Sequence, residues 1–154
     1  MKVNFNYQLD GTSTVNPRPP RPTVSYPVVE LLEISERIDF AIVRLGNGIH
    51  PTLPGRTFGT LRVATADANP GDTLCVVQHP HGQPKQVETG TVKETGFGRI
   101  TYDDIDTGGG ASGAPILGAN GQIVGIHTDG GCWRGIGVNS GTSVGIIRCA
   151  SRML

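Results

Sequence analysis

Asp106 to Leu117 reads DTGGGASGAPIL. Three glycines, Gly108 to Gly110, run up to Ser112, and Gly113-Ala114-Pro115 then leads into an apolar strand. Glycine accepts φ > 0 and lets backbone N–H groups approach a ligand with no Cβ in the way. Such a loop can hold an anion. The N–H groups of Gly110 and Ser112, two residues apart, can turn towards one oxygen, which is the geometry an oxyanion hole needs for a tetrahedral acyl intermediate. Taken in isolation, a GxSG is first of all a glycine-rich turn before a strand, so the rest of the chain has to decide.

The serine does not sit in the elbow of the α/β-hydrolases, because GxSxG requires glycine at 114 and Ala114 is there. The run resembles the nucleophile loop of trypsin-like serine peptidases, GxSGxP followed by an apolar strand. Its Asp-Thr opening, with no acid just before the serine, resembles most the bacterial branch that includes the glutamyl endopeptidases. The resemblance implies Ser112 as nucleophile and the N–H groups of Gly110 and Ser112 as oxyanion hole. Ala111 replaces the aspartate with which animal members bind a freshly cut N-terminus, so activation by that salt bridge is not expected.

The 154 residues suffice for one good core or two small ones. Thirteen basic and thirteen acidic residues cancel, which leaves no electrostatic footprint for nucleic acid or an anionic membrane. With 23 glycines and 11 prolines beside 36% hydrophobic residues, the composition is that of a turn-rich β protein. Cys75, Cys132 and Cys149 are odd in number and lack metal-ligand spacing; they read as reduced thiols, with a Cys132 to Cys149 bridge as the alternative. No apolar stretch is long enough to span a membrane, and MKVNFNYQLDG has no secretory apolar region, so the chain as written reads as cytoplasmic.

In chain order, VNFNYQL (residues 3–9) alternates as a strand, and a proline-rich connection follows. Within it PRPPRP (17–22) fits a polyproline ligand for an SH3-type groove, although a stiff surface loop is the expected role. VVELLEIS and IDFAIVRL form a hairpin around Glu36-Arg37, with Asp39 at the start of the second strand. GNGIHPTLPGRTFGTLRVATADANPG is punctuated by glycine and proline and reads as a linker. TLCVVQHP, KQVETGTVKET and GRITYDD supply successive strands, with turns at HGQP and near Gly96 and Gly98. APILG and QIVGIHTDGG form a hairpin across Ala119-Asn120-Gly121, Trp133 to Val138 offers a further strand, and the tail GIIRCASRML has the spacing of a short helix. His79 and His81 are weak metal candidates at i and i+2, and a turn role is expected for both.

The same resemblance extends further. D-[apolar]-A-[apolar]-x-x-L at Asp39 is similar to the sequence around the triad aspartate, and GDTLCVVQHPHGQPKQVETGTV is similar to the opening hairpin of the second barrel. The implied fold is all-β: a chymotrypsin-like double β-barrel with the first barrel truncated and a short C-terminal helix. Residues 1–68 would hold the first-barrel remnant and interbarrel linker, and 69–154 the second barrel. The family order is His, Asp, Ser, yet His50, His79, His81 and His127 all follow Asp39. A serine needs a base within hydrogen-bond reach. The expectation is therefore that an upstream segment, or a second chain, supplies the catalytic histidine, because VNFNYQ reads as a mid-domain strand without edge protection. His127 lies where glutamyl endopeptidases read an acidic side chain, and Thr128 would line the same specificity pocket. The implied substrate is a peptide or protein, and no cofactor is implied. The alternative is an inactive barrel that binds peptide by strand addition.

Overall fold

A computed structural model of the chain describes residues 1–9, 23–131 and 137–154. The PRPPRP motif, Cys132 and most of the strand expected at 133–138 lie outside the described residues. The chain divides into two compact units, one of residues Met1–Ile34 and Ala41–Thr60, the other of Ser35–Phe40 and Leu61–Leu154.

The first unit is built on three strands in the order β1 (Lys2–Phe5), β2 (Val24–Ser35), β3 (Phe40–Leu45). β1 pairs antiparallel with β2, Lys2 opposite Pro27 and Phe5 opposite Val24. The strand expected over 3–9 stops at Phe5 because Asn6 takes φ 65°, which ends the extended run. A short helix, α1 (Pro54–Phe58), breaks what the sequence presents as unstructured linker, with proline in its first turn. Phe58 stacks on Phe5 at 4.6 Å, and Tyr26, 2% exposed, meets Phe5 edge-on at 5.5 Å. His50 packs against Tyr26 at 4.5 Å with Nε2 3.0 Å from the Ser25 carbonyl.

The second unit is a seven-stranded antiparallel sheet. Its strands are β4 (Thr73–Gln78), β5 (Gln86–Thr91), β6 (Glu94–Gly96), β7 (Arg99–Tyr102), β8 (Pro115–Gly118), β9 (Ile123–Asp129) and β10 (Asn139–Ser143). They lie in the order β5-β4-β8-β9-β10-β7-β6, and the helix α2 (Val144–Ala150) follows. KQVETGTVKET, read as one strand, is two, β5 and β6. β6 turns into β7 through Phe97 and Gly98, whose φ angles of 49° and 77° are the pair of positive values a type I′ hairpin demands. Alternation along β4 sends Leu74, Val76 and Gln78 inward, where Ile100, Tyr102, Ile116 and Val144 complete a core no more than 2% exposed. α2 buries Val144 and Ile147, one helical turn apart, as the spacing in the tail predicts. The chain is thus mostly β with a short C-terminal helix, the class its turn-rich alternation indicates. No helix among the described residues is long and apolar enough to cross a membrane.

Gly141 on β10 shows how tightly this sheet closes. It pairs with Ile100 on one side and His127 on the other, and a Cβ there would overlap the Ile116 side chain and the Ile126 carbonyl. Gly141→Ala is expected to cost about 1–3 kcal/mol through overpacking, read as a lower urea midpoint at unchanged m-value.

Candidate active site

The chain reaches Ser112 by way of two buried amides that hold the start of its loop. Gln78, 2% exposed, donates from Nε2 to the Asp106 carbonyl at 2.6 Å. Asn139, 1% exposed, donates from Nδ2 to the Ile105 carbonyl at 2.7 Å. Its Oδ1 accepts from the Thr107 hydroxyl at 3.0 Å and the Gly131 N–H at 3.1 Å. Neither amide shows in the sequence as anything but a polar residue on a strand. Their burial follows from the inward phase of β4 and β10; Asn139 engages both its Nδ2 and its Oδ1, whereas Gln78 is held by Nε2 alone and its buried Oε1 has no partner among the described residues.

Two consecutive turns then carry the serine. Ala111 N–H donates to the Gly108 carbonyl at 3.0 Å, and Ala114 N–H donates to the Ala111 carbonyl at 2.9 Å. Gly110 (φ 94°) and Gly113 (φ 85°) each occupy the third position of their turn, where type II geometry requires a positive φ. Between them Ala111 is 1% exposed while Ser112 points to solvent. Among the described residues, the N–H groups of Gly110 and Ser112 donate to nothing, and the Ser112 hydroxyl has no hydrogen-bond partner. A buried methyl flanked by two unengaged amide donors and a free hydroxyl is an arrangement that can receive a carbonyl oxygen.

Ser112 lies between two hollows. One, of about 360 Å³, runs along Gln78, His79 and Pro115. The other, of about 450 Å³, is lined by Thr107, Gly108, Gly109, Gly130 and two imidazoles, His81 and His127. β8 and β9 bring His127 to the serine, since Gly113 N–H donates to the His127 carbonyl at 2.8 Å and His127 N–H to the Ala114 carbonyl at 2.9 Å. Thr128, the next residue, points its hydroxyl to Asp129 Oδ2 at 3.1 Å and is not in the lining, as strand alternation dictates. Asp129 also pairs with Arg99, whose guanidinium holds the Asp129 carboxyl below the usual carboxylate range.

His127 is 2% exposed, and its Nδ1 lies 2.6 Å from the Tyr102 hydroxyl. Burial lowers the imidazole's proton affinity and raises that of the Tyr102 phenol, so both are neutral near pH 7. The Tyr102 hydroxyl, fully buried and without another partner among the described residues, satisfies its proton by donating to Nδ1. His127 is then the Nε2–H tautomer, with a fixed donor on the pocket. Tyr102→Phe is expected to cost about 1–2 kcal/mol and to produce a second His127 tautomer in the ¹⁵N spectrum. Because folding lowers the His127 pKa from 6.5, its contribution to stability is full above that value and is lost as pH falls below it.

Asp39 ends the turn before β3, exposed, at φ 54°; among the described residues its carboxylate has no partner, and it lines neither hollow. It is placed through its neighbour, since the Thr142 hydroxyl on β10 donates to the Ile38 carbonyl at 2.9 Å. No described histidine hydrogen-bonds Ser112: His50 serves Ser25, His79 Nδ1 lies 3.0 Å from the Gln83 carbonyl, and His127 is held by Tyr102. The structure thus brings together Ser112, Gly110 and His127, and adds His81, which sequence reasoning leaves in a turn.

Residues 10–126 match a family model described as a trypsin-like peptidase domain. Among solved structures, a Glu endopeptidase in complex with MPD is 25% identical with a TM-score of 0.64, the match covering 82% of this chain and 64% of that one. An inactive form of Rv3671c from M. tuberculosis is 19% identical with a TM-score of 0.61, over 83% and 63% of the two chains. A serine endoprotease from Yersinia pestis is 15% identical with a TM-score of 0.63, over 83% and 43%. The last two likenesses concern the fold. The chain spans less than two thirds of the length of each. Comparison with curated proteins gives no match.

Proposed function

Because this chain belongs to the trypsin-like peptidase domain family, we propose that it carries the nucleophile half of a serine endopeptidase that cleaves peptide bonds after an acidic residue. The observation that supports this most is the pair of unengaged N–H groups of Gly110 and Ser112 beside the free Ser112 hydroxyl. In the proposed reaction Ser112 Oγ attacks the scissile carbonyl, and its proton passes to an imidazole oriented by Asp39. Carbonyl oxygen charge is taken up by the two N–H groups, worth about 10²–10³ in rate for each donor. The leaving amine takes the proton, and water then releases the acyl group by the reverse sequence. The histidine comes from a segment upstream of Asp39 or from a second chain.

The hollow lined by His127 is the proposed specificity pocket. Among the described residues no carboxylate lines it, which argues against a basic side chain, and its donors suit a carboxylate. Thr128 stands outside its lining, the hydroxyl being engaged with Asp129.

A fluorophosphonate probe tests the reading. We expect stoichiometric labelling of Ser112 in a chain extended upstream through a histidine-bearing segment, and weak or no labelling of the 154-residue chain alone. An extended chain that remains unlabelled points to the inactive peptide-binding barrel instead.

A further inference from the structure

His81 belongs to a turn, and its backbone accounts for only part of its surroundings. The 3₁₀ turn Pro80–Gly82 is closed by Gly82 N–H to the His79 carbonyl at 3.1 Å and Gln83 N–H to the Pro80 carbonyl at 3.0 Å. Inside it His81 stands at φ 54°, a left-handed conformation that histidine adopts more readily than most residues with a side chain. His81 N–H donates to the Gly109 carbonyl at 2.6 Å, which ties this turn to the serine loop. The ring lies against Gly108, where a Cβ would stand 2.6 Å from His81 Nε2, and near Gly109, where it would stand 3.8 Å from Nδ1. The glycines before Ser112 therefore do more than free the backbone: at 108 the absence of a side chain makes the seat for an imidazole. Among the described residues neither ring nitrogen of His81 has a hydrogen-bond partner, and the ring lines the same hollow as Ser112 and His127.

We propose that His81 is a specificity-determining residue, a second imidazole that reads the carboxylate of the substrate's acidic side chain together with His127. The proposal rests on the acid-reading assignment of that pocket. His127 has one nitrogen committed to Tyr102 and offers a single donor. A carboxylate has two oxygens and about four acceptor sites, and one donor leaves most of them unsatisfied in a hollow whose described lining residues include no cationic side chain. His81 approaches from the opposite element, the β4–β5 turn, with both nitrogens uncommitted. A carboxylate held between the two rings can accept one N–H from each.

The test uses the 154-residue chain with Ser112→Ala, so that no turnover intervenes, and two N-acetylated peptides that end in Glu or in the isosteric Gln. Calorimetric titration is expected to favour the Glu peptide. His81→Ala should reduce that preference about tenfold, while the affinity for the Gln peptide and the thermal midpoint stay unchanged. Gly108→Ala, which pushes the ring off its seat without requiring a positive φ, should reduce the preference in the same direction. A Glu preference that survives His81→Ala intact overturns the proposal and leaves the pocket assignment to His127 standing. Equal affinity for the two peptides before any change at 81 overturns the pocket assignment and this proposal with it. Labelling of the 154-residue chain by a fluorophosphonate that disappears in His81→Ala would make His81 the base, and would also overturn it.

Discussion

Ser112→Ala, made in a chain supplied with the upstream histidine segment, is expected to lower kcat by about 10⁴- to 10⁶-fold while leaving KM for a Glu-containing peptide nearly unchanged. The size follows from what the side chain does. In the proposed reaction its oxygen forms the covalent bond, so no neighbouring group could take over, and the residual rate would be that of water in a site that still binds and polarises the carbonyl. The near-constant KM follows from geometry: the hollow beside Ser112 is walled by His81, Thr107, His127 and glycine backbone, none of which depends on the hydroxyl. Nor does the hydroxyl hold up the fold, since it has no hydrogen-bond partner among the described residues. The thermal midpoint should thus stay within a degree or two of the parent, because exposed substitutions of this kind shift stability by less than about 0.5 kcal/mol. Single-turnover kinetics separates the two terms. A kcat that falls by less than about tenfold would remove Ser112 from the reaction.

The second large effect is expected at Gly110→Ala. The Gly110 φ of 94° is expensive for any residue with a Cβ, so alanine favours the turn with the Gly109–Gly110 peptide reversed. That reversal rotates the Gly110 N–H away from the position it shares with the Ser112 N–H. Loss of one oxyanion donor costs about 10²–10³ in kcat, again with little change in KM. The Ala111 N–H bond to the Gly108 carbonyl exists in both turn types, so the loop should remain folded. A fully active Gly110→Ala would mean that this N–H plays no part in binding the oxygen. Replacing Gly110 with D-alanine by semisynthesis should restore activity, because its preferred φ is positive.

How far the sequence carries can be judged at particular residues. Much of the sheet of the second unit is legible because its strands are bounded by glycine or proline turns, as at Phe97-Gly98 and Ala119 to Gly121, whereas β10, buried at four of its five positions, carries no alternation and lies beyond the strand expected at 133–138. The helix α1 is not legible: five residues behind a proline carry no period, and Phe58 is recruited by a stack on Phe5, 53 positions earlier. Ser112, Gly110 and His127 stand out through local pattern. Their supports do not. Gln78, Asn139 and Tyr102 act on partners 25 to 34 residues away, across strands whose register no short motif reveals. His81 illustrates the gap best. A histidine in a tight turn has an adequate local explanation, and only the glycines at 108 and 109, in another turn, show that its ring has been given a place.

Ala111, 1% exposed between its two turns, has a consequence for the conditions under which the loop holds its shape. A loop fixed by an internal ion pair is set or released by whatever titrates or shields that pair. One fixed by a methyl group and two backbone hydrogen bonds contains nothing to titrate and nothing to shield. Added salt, which screens charge pairs beyond a Debye length of about 8–10 Å, leaves such a loop as it was. The donor site beside Ser112 would then respond to temperature and to packing but be indifferent to the ionic composition around it.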